Sequence, residues 1–198
     1  MYARPAALQT FIDEAQVLFQ SPTLPDAARK LSAQIFERLT IAQDNGQHSA
    51  TRYPACAYLD EALAPVSGLD TPLGRAARSI KQLEPSIGWQ RRTSGVNGSD
   101  NYVEGHVHGM IAGPAGMESR FDVQLGFTVI APNIRYPDHQ HVPQEAYVLF
   151  TEGAFWQEGG EWFDPGVGGG LYNRSNILHA MRSREVPFLA MWCLLVQE

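Results

Sequence analysis

The run Asp138-His139-Gln140-His141-Val142-Pro143-Gln144-Glu145-Ala146-Tyr147 decides how the rest of this chain is read. Side chains alternate faces along a strand, so His139 and His141 are expected to point the same way, as are Glu145 and Tyr147. Pro143 cannot donate to a sheet ladder, so it marks a turn between a strand carrying the histidines and one carrying Glu145 and Tyr147. Two imidazoles, a carboxylate and a third imidazole downstream, His179, form a constellation suited to one divalent transition metal, Zn, Fe, Mn, Co or Ni.

The other histidines weigh less. His106 and His108 form a second His-x-His pair, so the dyad alone is weak evidence. Glu104 shares their face, but Gly109 to Met117 is apolar and glycine-rich and offers no carboxylate at ligand spacing. A metal at this pair is less expected than at His139 and His141, and the two could instead line the cavity. His48 sits in a polar loop after Asp44-Asn45-Gly46-Gln47 and reads as an ordinary hydrogen-bonded histidine.

Outward from the motif, residues 87–198 break into short β-rich runs: Gly88–Thr93, Tyr102–Ile111, Phe121–Ala131, Ala146–Thr151, Ala154–Gln157, Glu161–Phe163, Gly170–Tyr172 and Phe188–Val196. Gly and Pro punctuate them, and Glu158-Gly159-Gly160 between aromatic runs reads as a hairpin. Many short strands at such spacing predict an antiparallel barrel or sandwich. Residues 1–86 read differently. Leu8, Phe11, Ile12, Ala15, Leu18 and Phe19 mark one buried helix face. Leu31, Ile35, Leu39 and Ala42 mark a second helix, expected to end near Asn45-Gly46. Residues 54–65 and 72–84 predict two shorter helices, each opened by a proline. The expected organisation is an α-helical region over 1–86 packed on a mainly β barrel over 87–198 that holds the metal.

Composition narrows the classes. With 44% hydrophobic and 18% charged residues the 198-residue chain is of ordinary globular make-up. A net charge of −6 argues against a nucleic-acid partner, which calls for a basic face. No apolar run reaches the length of a membrane span, and the first residues lack a basic segment followed by an apolar one. Cys56 and Cys193 stand far apart outside any redox or metal motif, and two buried reduced thiols are favoured over a disulfide. The cytoplasm is the expected compartment.

The ligand spacing resembles that of the cupins, whose small β-barrel carries a first motif Gly-x5-His-x-His-x3-or-4-Glu-x6-Gly. His139-x-His141-x3-Glu145 matches its core, with Asn133 where the first glycine is expected and Gly153 one residue late. Of the second motif, Gly-x5-Pro-x-Gly-x2-His-x3-Asn, Gly168 and His179 remain, and Arg174, Asn176 and Ser183 occupy the other places. More narrowly, the helical first half, the barrel and Tyr136-Pro137-Asp138-His139-x-His141-x-Pro143-x-Glu145-x-Tyr147 resemble the bacterial DddQ-type dimethylsulfoniopropionate (DMSP) lyases. That resemblance implies a cupin fold and a metal held by His139, His141, Glu145 and His179. It implies β-elimination of DMSP to acrylate and dimethyl sulfide, with Tyr147 as base and Tyr136 as a second active-site tyrosine. Tyr147 also reads, on the sequence alone, as a core aromatic. The same ligands would serve an Fe-dependent dioxygenase or a noncatalytic cupin that binds a small carboxylate, and the oligomeric state is left open.

Overall fold

The computed structural model describes residues 3–44, 46 and 49–196; His48 and Asn45 lie outside the described residues. Among the described residues four α-helices come first, α1 (Ala6–Phe19), α2 (Asp26–Leu39), α3 (Leu59–Ser67) and α4 (Pro72–Leu83), with a short 3-10 turn at Pro54–Tyr58 ahead of α3. The buried residues of α1 are Leu8, Phe11, Ile12, Ala15, Leu18 and Phe19, the stripe that the periodicity predicts. α4 starts at Pro72, where a missing N–H costs nothing, and the Thr71 hydroxyl accepts the Gly74 N–H.

α2 stops at Leu39, well before the expected Asn45-Gly46. A helix end leaves orphan carbonyls, and here two arginines distant in sequence take them. Arg4 donates to the Leu39 carbonyl at 2.9 Å, and Arg120 donates to those of Arg38 and Ile41 at 3.0 and 2.8 Å. Both guanidiniums also bond the wholly buried Glu118, and Arg120 forks onto Asp122. This tertiary cap, invisible in local sequence, fixes the end of α2 against the start of the third strand.

The strands are β1 (Trp89–Gln90), β2 (His106–Ala112), β3 (Val123–Ile130), β4 (Gln144–Leu149), β5 (Ala154–Gln157), β6 (Gly170–Asn173), β7 (His179–Arg182) and β8 (Phe188–Leu195). Six form one antiparallel sheet in the order β1-β2-β3-β8-β4-β6, and β5 pairs with β7 in a second. Single bridges extend the second sheet, joining Phe155 to Phe163, Arg135 to Arg182 and His139 to His179. The mainly antiparallel, cupin-like barrel is thus present, with its helices at the N-terminal end of the chain.

Three local readings shift. Glu161–Phe163 contributes only the bridge at Phe163. Tyr102 closes turns with Ser99 and Gly105, so β2 begins later, at His106. β7 was not expected, because His179-Ala-Met-Arg182 is short and lacks apolar alternation.

The large sheet is buried on both faces. Leu189, Met191, Cys193 and Leu195 of β8 join Val123, Leu125, Phe127 and Val129 of β3 in a core shared with the helices. The alternate residues Phe188, Ala190, Trp192 and Leu194 turn the other way, with Tyr147 and Leu149, into a second cluster inside the barrel. Period two sorts the residues between a helix-covered face and an interior face. Phe127 packs 6.1 Å from Phe11 of α1 and edge-on to Trp89 at 5.4 Å. Each such burial is worth roughly 1.5–3 kcal/mol, so the helical side carries much of the stability. Cys56 and Cys193 are free and buried. Among the described residues no helix is long and apolar enough to cross a membrane.

The cap at α2 gives a direct stability test. Glu118→Ala strands two buried guanidiniums, and breaking a buried ion pair from one side costs about 3–5 kcal/mol. Urea unfolding of that variant should show a loss of this size; a loss below 1 kcal/mol would mean the arginines find water instead.

Candidate active site

The structure brings the predicted residues into one place. His139 and His179 are bridge partners, each donating its backbone N–H to the other's carbonyl at 3.0 and 2.9 Å. Their rings therefore lie side by side with centroids 4.1 Å apart, although forty positions separate them. The histidine-bearing segment is extended rather than a full ladder strand, the chain bends at Val142-Pro143, and β4 begins at Gln144. The His141 carbonyl is pinned by the Asn176 N–H at 2.9 Å.

Each of these three rings is oriented by a backbone carbonyl two residues away. The Nδ1 atoms of His139, His141 and His179 lie 2.9, 2.8 and 2.9 Å from the carbonyls of Pro137, Pro143 and Ile177. A carbonyl can only accept, so each ring carries its proton on Nδ1 and presents the Nε2 lone pair inward. One ligand atom from each ring lies within 4.8 Å of the others. The buried carboxylate of Glu145 reaches the same spot, its Oε2 3.3 Å from Nε2 of His141 and 3.4 Å from Nε2 of His179. The buried His179 Nε2 has no hydrogen-bond partner among the described residues. Four lone-pair donors thus face one another without enough hydrogens to share, a set that could hold a cation, which would resolve the conflict.

The electrostatics follow the same logic. Burial, helped by His179, drives the His139 imidazolium down to about 3. Burial also disfavours a charge on His141, but the hydrogen bond and charge of Glu145 outweigh it and raise this ring above its ordinary value. Burial works against the Glu145 carboxylate too, yet contacts from His141 and His179 hold it well below the usual carboxylate range. Asn173, the cross-strand partner of Glu145, donates Nδ2 to Oε2 at 2.9 Å, and Gln157 donates to the Asn173 side chain at 2.8 Å.

Two of the departures from the cupin motif keep its backbone. Asn133 and Asn176 stand where glycines are expected, and both have positive φ, 59° and 57°. Asparagine is the side chain that most readily joins glycine in that region. Ser183, in a place expected to hold asparagine, donates to the Ala131 carbonyl and accepts the Ile134 N–H.

His139, His141 and Glu145 line a small cavity of about 130 Å³ whose walls also include His108, Thr128, Tyr147, Met181 and Trp192, and His179 stands against His139 and Glu145 at its back. Tyr147 shares the interior face with Glu145, and burial and that carboxylate push its phenol well above the ordinary value. Tyr136 stands behind His108 and His139 rather than in the wall. Its oxygen accepts Arg92 Nε–H at 3.1 Å and meets His108 Nε2 at 3.0 Å, and burial pushes the phenol up to about 12 against the pull of Arg92.

His106 is occupied at both nitrogens. Nε2 accepts the Arg92 backbone N–H, leaving Nδ1–H for the Tyr102 carbonyl. His108 lines the cavity, with Nδ1 2.7 Å from the Thr128 hydroxyl. Among the aromatic residues of the β half, Trp192 lines this cavity beside Tyr147. Trp89 packs toward the helices, Tyr102 stacks on His106, and Trp162 lies under Arg182. Sequence reasoning missed Asn173, Thr128 and Arg92. Thr128 was findable, since Gln124, Gly126 and Thr128 alternate on one face; Asn173 needed the β4–β6 register, and Arg92 gave no signal.

Residues 27–190 match the family model of dimethylsulfoniopropionate lyase. Among curated proteins no sequence matches the chain. Among solved structures it superposes on the DMSP lyase DddQ from Ruegeria pomeroyi DSS-3 with a TM-score of 0.71 at 18% identity, covering 97% of this chain and 92% of that one. A chain from the crystal structures of DMSP lyases RdDddP and RnDddQII gives 0.70 at 17% identity, over 96% and 92%. At these identities the likeness is one of fold.

Asn173 tests the orientation of the carboxylate. Outer partners of this kind typically carry about 10–100-fold in metal affinity, so Asn173→Ala should weaken Zn²⁺ or Mn²⁺ binding by that factor in a competition titration. Unchanged affinity would show that Glu145 is held without it.

Proposed function

The chain belongs to the dimethylsulfoniopropionate lyase family and is a lyase, and from that premise we propose that it cleaves DMSP to acrylate and dimethyl sulfide. The observation that carries this reading is the convergence of three histidines and one carboxylate at a small cavity lined by a phenol. His139, His141, Glu145 and His179 would hold one divalent transition metal. Bound there, it supplies Lewis-acid withdrawal of charge from the substrate carboxylate, whose α-proton is otherwise very weakly acidic.

The remaining work falls to the chain. Tyr147 takes the proton from the carbon next to the carboxylate. That electron pair becomes the second bond of acrylate as the carbon–sulfur bond breaks, and sulfur leaves as neutral dimethyl sulfide. Trp192 is the cross-strand neighbour of Tyr147 and offers an indole to the dimethylsulfonium, a contact worth roughly 0.5–2 kcal/mol. This seats the cationic end beside the base. Tyr136, set back from the cavity, acts through His108 and positions rather than reacts. The buried wall keeps bulk water from competing for the proton.

The deciding experiment is incubation of metal-loaded protein with DMSP and detection of dimethyl sulfide in the headspace. Oxygen uptake without dimethyl sulfide would turn the reading to a dioxygenase, and binding without turnover to a noncatalytic cupin. Tyr147→Phe should keep its metal and fold while kcat falls about 10²–10⁴-fold, the usual contribution of a general base; near-normal kcat would remove Tyr147 from the reaction.

Metal retention should depend on pH in a definite direction. A protonated ring cannot ligate, and Glu145 raises the His141 value in the ion-free site. Affinity should therefore begin to fall, as pH is lowered, from a higher pH than an unperturbed histidine would set. Glu145→Gln, which removes the raising charge, should shift the onset to lower pH in equilibrium dialysis while weakening binding overall.

A further inference from the structure

Trp192 is held by a built cradle. Its partner across β3 and β8 is Gly126, where an added Cβ would lie 2.4 Å from the Gly109 carbonyl oxygen and 2.5 and 2.6 Å from Cη2 and Cζ2 of the indole. A side chain there would collide with both the neighbouring backbone and the ring. Two residues along the same face, the wholly buried Thr128 accepts the indole Nε1–H at 2.9 Å. An indole nitrogen can only donate, so this bond has one direction. The same hydroxyl meets His108 Nδ1 at 2.7 Å, and His108 is itself fixed at Nε2 by the Tyr136 oxygen, which Arg92 holds from behind.

Gly126 supplies room for the ring, and Thr128 sets its rotation. The threonine lies where the indole and the Arg92–Tyr136–His108 chain cross. Because Tyr147 is the neighbour of Trp192 on the opposite side, a tilt of the indole would move a bound cation relative to the base.

We propose that Thr128 is a positioning residue for the cationic end of the substrate, fixing the Trp192 indole over Gly126 so that the sulfonium is seated beside Tyr147. This rests on the reading of Trp192 as the cation's seat. The hydroxyl is the operative group: valine has the same shape and lacks it, and serine retains it.

The test uses two half-substrates on the full metal-loaded chain: trimethylsulfonium, a cation without a carboxylate, and propionate, a carboxylate without a cation. Both are titrated by NMR against the parent protein, Thr128→Val and Thr128→Ser. Thr128→Val should weaken trimethylsulfonium binding about tenfold, within the range of one cation–π contact, and leave propionate within about twofold of the parent on the same scale. KM for DMSP should rise more than kcat falls, and Thr128→Ser should restore both. In a Trp192→Phe background, which has no ring N–H to strand, Thr128→Val should cost trimethylsulfonium nothing further. This pairing also covers a Thr128→Val single variant that does not fold. Equal loss of both probes, loss of neither, no rescue by serine, or a loss that persists with Trp192→Phe would overturn the proposal. If Trp192→Leu binds trimethylsulfonium as the parent does, the cation's seat is elsewhere and this proposal falls. Dimethyl sulfide release by the parent protein would still uphold the lyase reading.

Discussion

The arrangement depends on one unusual constraint, a set of imidazole lone pairs and a carboxylate forced together in a buried pocket. Each ring is locked by a carbonyl on Nδ1, so none can rotate to offer its neighbours a hydrogen instead. The paired backbone bonds of His139 and His179 prevent the two segments from sliding apart. An unpartnered buried polar atom such as His179 Nε2 costs about 1–3 kcal/mol, and the proximity of Glu145 adds to that. Site and stability are therefore opposed. The polypeptide holds the conflict in place, and a cation seated there would relieve it.

The offsetting stability comes from the other face of the same sheet. β3, β4 and β8 send alternate residues into the core shared with the helices, at roughly 1.5–3 kcal/mol per large side chain. A few such side chains outweigh the strained site. The interior face is thereby free to carry Glu145, Thr128, His108 and Tyr147, residues that a single-core barrel could ill accommodate. The buried Arg4–Glu118–Arg120 cluster locks the helical layer against the sheet at the end of α2. The helices act as the second half of the core.

How much of this the sequence disclosed depends on the range of the interaction. The α1 stripe, the α4 start at Pro72 and the turn at Gly159, with φ +84°, are set by neighbours along the chain. The grouping of His139, His141, Glu145 and His179 was legible because their spacing reflects strand periodicity and a motif. Glycine-to-asparagine replacements at 133 and 176 looked like departures, but their positive φ keeps the conformation. What could not be read was decided across the chain. The early stop of α2 depends on Arg4 and Arg120, β7 on its bridge to the His139 segment, and the hold on Glu145 on Asn173. The setting of Tyr136 behind His108 also depends on register, since His108 faces Thr128 across β2 and β3 and its ring lines the cavity while Tyr136 does not.

In the proposed reaction the chain alone makes a poor base. Burial and Glu145 both push the Tyr147 phenol up, which opposes its ionisation. No lysine or arginine lines the cavity among the described residues, and Arg92, engaged with Tyr136 behind it, pulls the Tyr147 phenol down less than burial and Glu145 push it up. The offset must come from charges that the chain does not carry: a metal ion among the four donors and the sulfonium of the substrate. Tyr147 would then be ionisable chiefly while a cation is seated beside it, which ties base strength to occupancy. The cleavage removes its own activating charge, because the sulfonium becomes neutral dimethyl sulfide. The phenol formed by taking up the α-proton is then stable in the emptied pocket, and the site returns to a resting state in which its base is idle. In the proposed reaction, turnover would therefore depend on the placing of Trp192 next to Tyr147 rather than on the presence of an indole as such.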